Sequence, residues 1–204
     1  MKKIYLTPEG SKKCVENLDY FGGINRWYSP FRYIQTTSNI AHPGIGYRFT
    51  PFIVCQKIEI DGVGYIQSTQ STSGVSKIVL YNSDQSIFKP TTKIIETSDF
   101  SNNVNGSRPQ TITPTVLTPG VYFFAHLANN TSNFNITTIN SCFSPNVLGC
   151  DSITNLRTAR KGYLYNTTYV TGSSAIDDFT SLQNDLVIPT INNILWFFRV
   201  SNLF

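Results

Sequence analysis

From residue 47 onward, hydrophobic and polar positions alternate in short runs that are separated by turn residues. In the run PFIVCQKIEI, which begins at Pro51, apolar side chains occupy one parity, and Lys57 and Glu59 lie on the other. The apolar positions are Phe52, Val54, Ile58 and Ile60. Because successive side chains of a strand point to opposite faces, this pattern predicts a half-buried antiparallel strand.

Other runs predict further strands and the loops between them. VYFFAHLANN and NILWFFRVS are apolar at both parities, which predicts strands that are covered on both faces, the second by its own chain or by a neighbouring subunit. We also predict strands in VSKIVLYNSD, TTKIIETSDF, NFNITTINS and YLYNTTYV, and loops in SNNVNGSRPQ and SAIDDFTSLQNDLVIP. About seven to nine strands at this spacing predict an all-β fold, an antiparallel and jelly-roll-like β-sandwich over residues 46–204.

Residues 1–45 lack this alternation. Glycine and proline punctuate a segment that is rich in aromatic residues. Such a segment lies along a surface, either its own or that of a partner, because aromatic and arginine side chains are frequent interface anchors. We predict an extended N-terminal docking arm over residues 1–45. Its candidate partner-binding residues are Trp27, Tyr28, Phe31, Arg32 and Tyr33.

The composition narrows the classes of partner. Charged residues make up only 14% of the chain, and Asn, Thr and Ser supply much of the remaining polarity, which favours strands and turns over helices. The net charge of +4 is spread along the chain without a basic block, so we predict no nucleic-acid partner. The apolar stretch in MKKIYLTPEG is too short for a signal peptide, and no run has transmembrane length. We therefore predict synthesis in a cytoplasm and no membrane insertion.

Residues suited to catalysis are few. His42 precedes a proline in a predicted turn, and His126 alternates with aromatic residues, which favours a packed side chain. Asp177 and Asp178 are neighbours in sequence, whereas a glycosidase needs two carboxylates that face one bond from opposite sides. No phosphate-binding loop, nucleophile elbow or zinc-protease motif occurs. We predict that the protein is not an enzyme and that it binds no cofactor.

The four cysteines are Cys14, Cys55, Cys142 and Cys150. None of them forms a Cys-x-x-Cys pair, and their spacing does not favour a metal site. Cys55 lies in a strand pattern, where we expect it to pack as a small hydrophobic residue. A disulfide between Cys142 and Cys150 across a loop stays an open alternative.

Three tyrosines, Tyr163, Tyr165 and Tyr169, lie in or beside a predicted strand late in the chain. Aromatic rings stack on sugar rings, and the loops at one end of a sandwich are common binding sites. These residues are therefore candidate contacts to a glycan or receptor. The alternative is that they pack in or beside the strand.

The runs YRFTPFIVCQKIEIDGV, SKIVLYNSDQSIFKP and TVLTPGVYFFAHLA follow one another before a hydrophobic final strand. This order resembles a β-sandwich module of tailed-phage structural proteins, including tail fibres and minor structural proteins. The residues that match its three motifs are Tyr47, Pro51, Phe52, Val54, Leu80, Tyr81, Asn82, Asp84, Leu117, Pro119, Gly120, Tyr122, Phe123 and Ala125. The resemblance covers residues 45–204 and leaves the N-terminal arm outside it.

The resemblance implies a bacteriophage virion structural protein, made in the bacterial host and attached to a capsid, collar or tail as an assembly or decoration component. The chain has no long fibre or coiled-coil shaft, which favours a small docked protein over a complete tail fibre. Closed symmetry is usual in such assemblies, so we expect a homo-oligomer, with a trimer favoured, that contacts other virion proteins. The alternative is a host receptor or carbohydrate-binding module of a tail fibre or spike.

Overall fold

The computed structural model describes residues 23–29, 34–41, 46–129, 135–142, 162–187 and 193–204. The described residues form thirteen β-strands and, apart from one 3-10 turn at Thr180–Leu182, no helix. The strands are β1 (Arg26–Tyr28), β2 (Ile34–Ala41), β3 (Gly46–Val54), β4 (Ile58–Thr69), β5 (Val75–Asp84), β6 (Lys89–Glu96), β7 (Phe100–Ser101), β8 (Gly106–Leu117), β9 (Gly120–Ala128), β10 (Asn135–Cys142), β11 (Tyr163–Tyr165), β12 (Asn193–Ile194) and β13 (Trp196–Leu203). Nothing helical in these ranges has the length and apolar character needed to cross a membrane.

The strands form two antiparallel sheets that pack face to face. The first sheet has seven strands in the order β1-β13-β4-β10-β12, with β8 beside β4 and β2 beside β10. The second sheet has six strands in the order β11-β3-β9-β5-β6, with β7 beside β5. The predicted antiparallel β-sandwich is therefore confirmed.

Aromatic side chains dominate the space between the two sheets. Phe124 on β9 stacks on Phe52 of β3 with a centroid distance of 4.5 Å, and on Trp196 of β13 with a distance of 5.5 Å. Ile58 and Ile60 on β4 are fully buried in the same cluster. All four apolar positions of the first alternating run lie in this core. The prediction of a single strand is wrong, because β3 ends at Val54 in the second sheet and β4 begins at Ile58 in the first sheet. Each strand places its two apolar side chains of the run between the sheets.

The runs YRFTPFIVCQKIEIDGV, SKIVLYNSDQSIFKP and TVLTPGVYFFAHLA supply β3, β5 and β9 of the second sheet, where β9 lies between the other two. The first run also contains the beginning of β4, which belongs to the first sheet. Phe52 and Leu80 enter the core between the sheets, whereas Tyr47, Tyr81 and Phe123 pack on the opposite side of the second sheet. Both faces of β9 are buried, as its apolar pattern predicted.

The strand β8 corrects the prediction of a loop over SNNVNGSRPQ. Residues from Gly106 to Leu117 form a continuous strand that pairs with β4. Most of its side chains are partly or fully exposed, and it carries Pro109 and Pro114, which an edge strand tolerates better than a central one. An exposed edge strand has no regular apolar parity, so the sequence carries no periodic signal for it.

Part of the predicted N-terminal arm is integral to the sandwich. β1 pairs with β13, which places Trp27 opposite Arg199, and β2 pairs with β10. Residues 26–28 and 34–41 thus belong to the first sheet, although both strands lie in the segment that we predicted as an arm. Residues 23–25 and 29 of that segment are also described, and the rest of it lies outside the described residues.

Cys55 also differs from the prediction. It is disulfide-bonded, and it follows the end of β3 instead of packing within the strand. The side chains of the other three cysteines lie outside the described part of the chain, and so does the alternative of a Cys142–Cys150 disulfide.

His126 is packed in the core, as predicted. It is fully buried, and its ring meets Tyr65 edge to face at 4.8 Å. Tyr65 belongs to a small polar network: its hydroxyl bonds to Ser76 Oγ at 2.9 Å, and Ser76 Oγ donates to Asn102 Oδ1 at 2.8 Å. The Gln67 Nε2 donates to the Asn102 carbonyl at 2.7 Å. These polar groups are bonded to one another inside the sandwich, so the network stabilises the core.

Candidate functional site

The outer face of the second sheet is closed by residues 162–187, which we term the cover segment. It begins with β11 beside β3 and crosses to β6 at the opposite edge of the sheet. There the Lys93 N–H donates to the Asp177 carbonyl at 2.7 Å. Farther along the chain, Val187 and Leu164 exchange two backbone hydrogen bonds, at 2.6 and 2.9 Å. The cover segment is thus attached at both edges of the sheet that it covers.

Phe179 anchors the cover segment in a pocket of four aromatic rings. Its own ring is fully buried and meets the four others at steep angles, with centroid distances from 5.0 to 5.3 Å. The four rings are those of Tyr47, Phe49, Tyr81 and Tyr165. Edge-to-face pairs of this kind add to the free energy gained from burying their area. The cover segment therefore packs as a third layer of the fold.

A network of charged side chains fastens the cover segment beside this pocket. Lys77 Nζ lies 3.0 Å from Glu96 Oε1 and donates to the Ser173 carbonyl at 2.9 Å. Lys93 Nζ lies 2.6 Å from Glu96 Oε2 and donates to the Ala175 carbonyl at 3.2 Å. The Ala175 N–H in turn donates to Glu96 at 3.0 Å. Each of the three charged groups reaches the backbone of the cover segment, so the network is a structural clasp.

The pKa values of the clasp reflect its hydrogen bonds. Burial alone would raise the pKa of Glu96, but the bonds from Lys93, Lys77 and the Ala175 N–H outweigh it and lower this pKa below its ordinary value of 4.5. Burial alone would lower the pKa of Lys93, but its bonds to Asp177 and Glu96 raise it above 10.5. Both shifts favour the charged forms, so Glu96 and Lys93 are ionised at neutral pH.

The three tyrosines predicted as glycan contacts belong to this covered side. Tyr163 and Tyr169 are only 6% and 5% exposed, and Tyr165 is partly buried against Phe179. The Tyr169 hydroxyl donates to the Asp99 carboxylate, and burial together with this bond raises the pKa of Tyr169. The alternative that we considered, in which these rings pack in or beside a strand, describes their arrangement. A glycan contact needs an exposed ring, and Tyr163 and Tyr169 are not exposed.

The adjacent carboxylates Asp177 and Asp178 have different partners. Asp177 Oδ1 lies 2.6 Å from Lys93 Nζ, whereas Asp178 Oδ1 accepts from the Thr180 N–H at 2.8 Å. Asp177 thus contacts β6 at the edge of the second sheet, whereas Asp178 stabilises a turn within the cover segment. Within the described ranges, no group of three or more His, Cys, Asp and Glu side chains is placed to hold a metal ion.

The outer face of the first sheet carries a different arrangement around Trp27. The indole starts on β1 and reaches β4, where a Cβ added to Gly62 would lie 2.9 Å from its Cη2 atom and 3.3 Å from its Cζ2 atom. Arg199 lies on β13 between them, with its guanidinium carbon 6.0 Å from the ring centroid. Arg199 Nε and Nη2 donate to the two oxygens of Asp61 at 2.7 and 2.8 Å. We term Trp27, Asp61, Gly62 and Arg199 the indole patch.

The local backbone explains why these residues meet. The register between β4 and β13 shifts between Ile60 and Gly62, whose partners Val200 and Arg199 are adjacent, so Asp61 is the extra residue of a bulge in β4. A bulge re-aims a side chain, and here it brings Asp61 to Arg199. The Asp61 carboxylate in turn raises the pKa of Arg199 above its ordinary value. The indole patch is open to solvent, since Trp27 is 42% exposed.

The predicted partner-binding residues are divided by the structure. Trp27 contributes to the indole patch, whereas Tyr28 turns into the sandwich and packs against Phe198 at a centroid distance of 6.4 Å. Neighbouring residues of a strand face opposite sides, which separates these two. The other three, which lie outside the described part of the chain, are Phe31, Arg32 and Tyr33.

Sequence reasoning missed Asp61, Gly62 and Arg199. An Asp-Gly pair inside the alternating pattern of IEIDGVG was an available signal, because a glycine within a strand often marks a bulge or a close approach. No comparable signal connects Arg199 to Asp61, since the two residues are far apart in sequence.

No known protein family and no curated protein matches the chain. What the structure defines is an antiparallel β-sandwich with one sealed outer face and one exposed aromatic patch.

Proposed function

We propose that the protein is a bacteriophage virion structural component that docks on a capsid, collar or tail through its N-terminal residues. The resemblance of three sequence runs to a tailed-phage module supports this function. The strands β3, β5 and β9, which carry most of the matching residues, are adjacent in the second sheet. The dense aromatic packing on both sides of that sheet suits a rigid exterior component.

The observation that carries the docking role is the position of β1. This strand comes from the predicted arm and lies at the edge of the first sheet, where it pairs with β13 alone among the described strands. Ile24, which precedes β1, is 51% exposed. The N-terminal segment therefore meets the sandwich at an accessible edge that carries an exposed apolar side chain, a feature that is common at protein contacts.

Deletion of residues 1–22 tests the docking role, because it leaves β1 and β2 in place. We expect a folded protein, by circular dichroism and thermal melting, that fails to join particles when it replaces the full chain during phage assembly. Alanine at Phe31, Arg32 and Tyr33 is a second variant, should the truncation disturb folding. Val170→Ala is the control, since Val170 is 64% exposed on the cover segment. Normal incorporation of both arm variants would reject docking through this segment.

We also propose that the protein is a homo-oligomer, with a trimer favoured. Closed symmetry is the usual arrangement of soluble assemblies, and it suits a component that repeats on a particle. Sedimentation equilibrium of the full chain should give a mass three times that of the 22.9 kDa chain. A monomer at all concentrations would reject this proposal.

A host receptor or carbohydrate-binding module is the second candidate function. The indole patch favours it, because it offers an exposed aromatic ring beside paired polar groups. Binding of the full chain to host cells or to a glycan array is the test, and silence in both assays would count against this candidate.

A further inference from the structure

The indole of Trp27 lies along the outer surface of the first sheet. Neighbouring strands are about 4.8 Å apart, so a side chain that starts on β1 and touches Gly62 on β4 must extend across β13. The absence of a side chain at Gly62 provides the space for the end of the ring. The contact with the backbone holds the ring in place before any ligand arrives, which reduces the entropy lost on binding.

Hydrogen-bonding groups stand next to this ring. The Asp61 carboxylate accepts two bonds from Arg199, and the Asp61 and Arg199 side chains are 17% and 33% exposed. A guanidinium has five N–H donors and a carboxylate has about four acceptor positions, so this pair retains both donors and acceptors that face solvent. A ligand hydroxyl, which both donates and accepts, matches such a pair.

The charges of the patch select among ligands. Arg199 and Asp61 neutralise each other within a two-point ion pair, so the patch has no net charge to attract an acid or a base. The face of an indole is electron-rich and favours the weakly positive C–H bonds of an apolar face over an anion. We propose that the indole patch binds a neutral pyranose sugar of a glycan, with its C–H face on Trp27 and its hydroxyls on Asp61 and Arg199.

A sugar fits this patch better than a protein surface does. Stable protein interfaces bury about 800 Å² on each partner and have apolar centres. Here the side chains that flank Trp27 across the sheet are an ion pair and a glycine, and the separate apolar cluster of Leu195, Ile66 and Phe197 on the first sheet is buried or partly buried. A single sugar ring is about the size of one indole, so the patch accommodates one residue of a glycan chain.

The inference rests on the second proposed function, and it names the site and the ligand class for that function. One stacked ring with a few hydrogen bonds gives weak binding, with a Kd on the order of 1 mM. Several copies on one particle would raise the apparent affinity by about 100-fold or more. The site is therefore suited to a repeated component and does not depend on how the protein docks.

The two tryptophans make the test direct, since Trp27 is 42% exposed and Trp196 is fully buried. We would titrate the full chain with maltotetraose, cellotetraose and lacto-N-tetraose as neutral probes, and with 3′-sialyllactose as an anionic probe. Emission and acrylamide quenching report on Trp27. We expect at least one neutral probe to shift the emission to shorter wavelength and to halve the quenching, and we expect the anionic probe to bind at least threefold more weakly than that neutral one.

The variants Trp27→Ala and Asp61→Asn should each weaken binding at least tenfold, measured by calorimetry or by titration on a sugar-coated surface. Val170→Ala, on the opposite side of the sandwich, is the matched control and should bind as the wild type does. Thermal melting of each variant checks that the fold is retained.

The possible outcomes separate the site from the function. If wild type and Trp27→Ala bind the neutral probes equally, the proposed site is wrong while carbohydrate binding stands. If the wild type binds none of the probes at 10 times the expected Kd, both the site and the second proposed function are rejected. If no sugar binds and Trp27→Ala instead abolishes binding to another virion protein, the patch is a protein contact and the inference is overturned.

Discussion

The outer face of the second sheet is sealed by residues 162–187, whereas the outer face of the first sheet leaves Trp27 42% exposed. On the sealed face, Phe179 is fully buried among four aromatic rings, and charged side chains fasten the backbone above them. On the open face, an ion pair lies beside a single exposed indole.

The difference shows that aromatic residues serve two purposes in this sandwich. Rings on the sealed face are surrounded by protein and stabilise the fold, so their hydroxyl and ring surfaces are not accessible to a ligand. The ring of Trp27 packs on Gly62 beside Arg199, and Trp27 remains 42% exposed. We therefore expect substitutions on the sealed face to change stability, and substitutions on the open face to change binding.

The largest effect is expected for Phe179→Ala. This substitution removes a ring from a pocket of four others and leaves a cavity, which should lower the free energy of unfolding by about 3–5 kcal/mol. Urea denaturation followed by circular dichroism measures the change. Trp27→Ala is the control on the open face and should cost less than about 1 kcal/mol. Equal costs for the two variants would contradict the comparison.

A smaller effect is expected for Glu96→Gln in the clasp. The substitution removes the negative charge that both Lys77 and Lys93 contact, so it should lower the free energy of unfolding by about 1–3 kcal/mol. The control is Glu59→Gln on the first sheet, whose carboxylate accepts a bond from the Ser201 hydroxyl. A cost for Glu96→Gln no larger than that of the control would show that the clasp does not hold the cover segment.

The clasp also predicts how stability depends on pH. The pKa of Glu96 is lower in the folded chain than its ordinary value of 4.5, so its contribution is complete above that value and is lost as the pH falls through the folded pKa. Between about pH 6 and about pH 3, the wild type should lose more stability than Glu96→Gln, which has no proton to gain at this site. Parallel stability curves for the two proteins would contradict a lowered pKa at Glu96.

The smallest effect on stability is expected for Gly62→Ala. The added Cβ would lie 2.9 Å from the end of the Trp27 ring, which can move toward solvent at a cost below about 1 kcal/mol. Tryptophan emission should shift to longer wavelength and acrylamide quenching should increase. Val116→Ala, at an exposed position of β8, is the control and should leave the emission unchanged. An unchanged emission in Gly62→Ala would show that the indole does not rest on Gly62.

Strand alternation and turn residues were sufficient to predict the sandwich. The parity of Phe52, Val54 and Ile58 follows directly from which side of β3 and β4 faces the core. The central position of β9 follows from its two apolar faces. The alternation within each strand is a local signal, whereas the division of the first run into β3 and β4, which belong to different sheets, is not visible in that alternation.

The cover segment and the indole patch depend on contacts between distant parts of the chain, which no local pattern reveals. Phe179 lies in an irregular segment, and its burial results from rings on other strands. Tyr163 lies in a short strand and Tyr169 lies between elements, so no local pattern marks either residue as buried. Both are buried because the cover segment lies over the sheet. The meeting of Trp27 with Gly62 depends on the pairing of β1 with β13, which a three-residue strand does not predict.

Hydroxyl-radical footprinting of the full chain, read by mass spectrometry, tests the contrast between the two outer faces most directly. Both faces carry reactive aromatic side chains, so one experiment compares them under identical conditions. We predict that Trp27 is oxidised at least tenfold faster than Phe49 and Phe179, after correction for the intrinsic reactivity of each residue type. Similar corrected rates for Trp27 and Phe179 would contradict a sealed second sheet and an open first sheet.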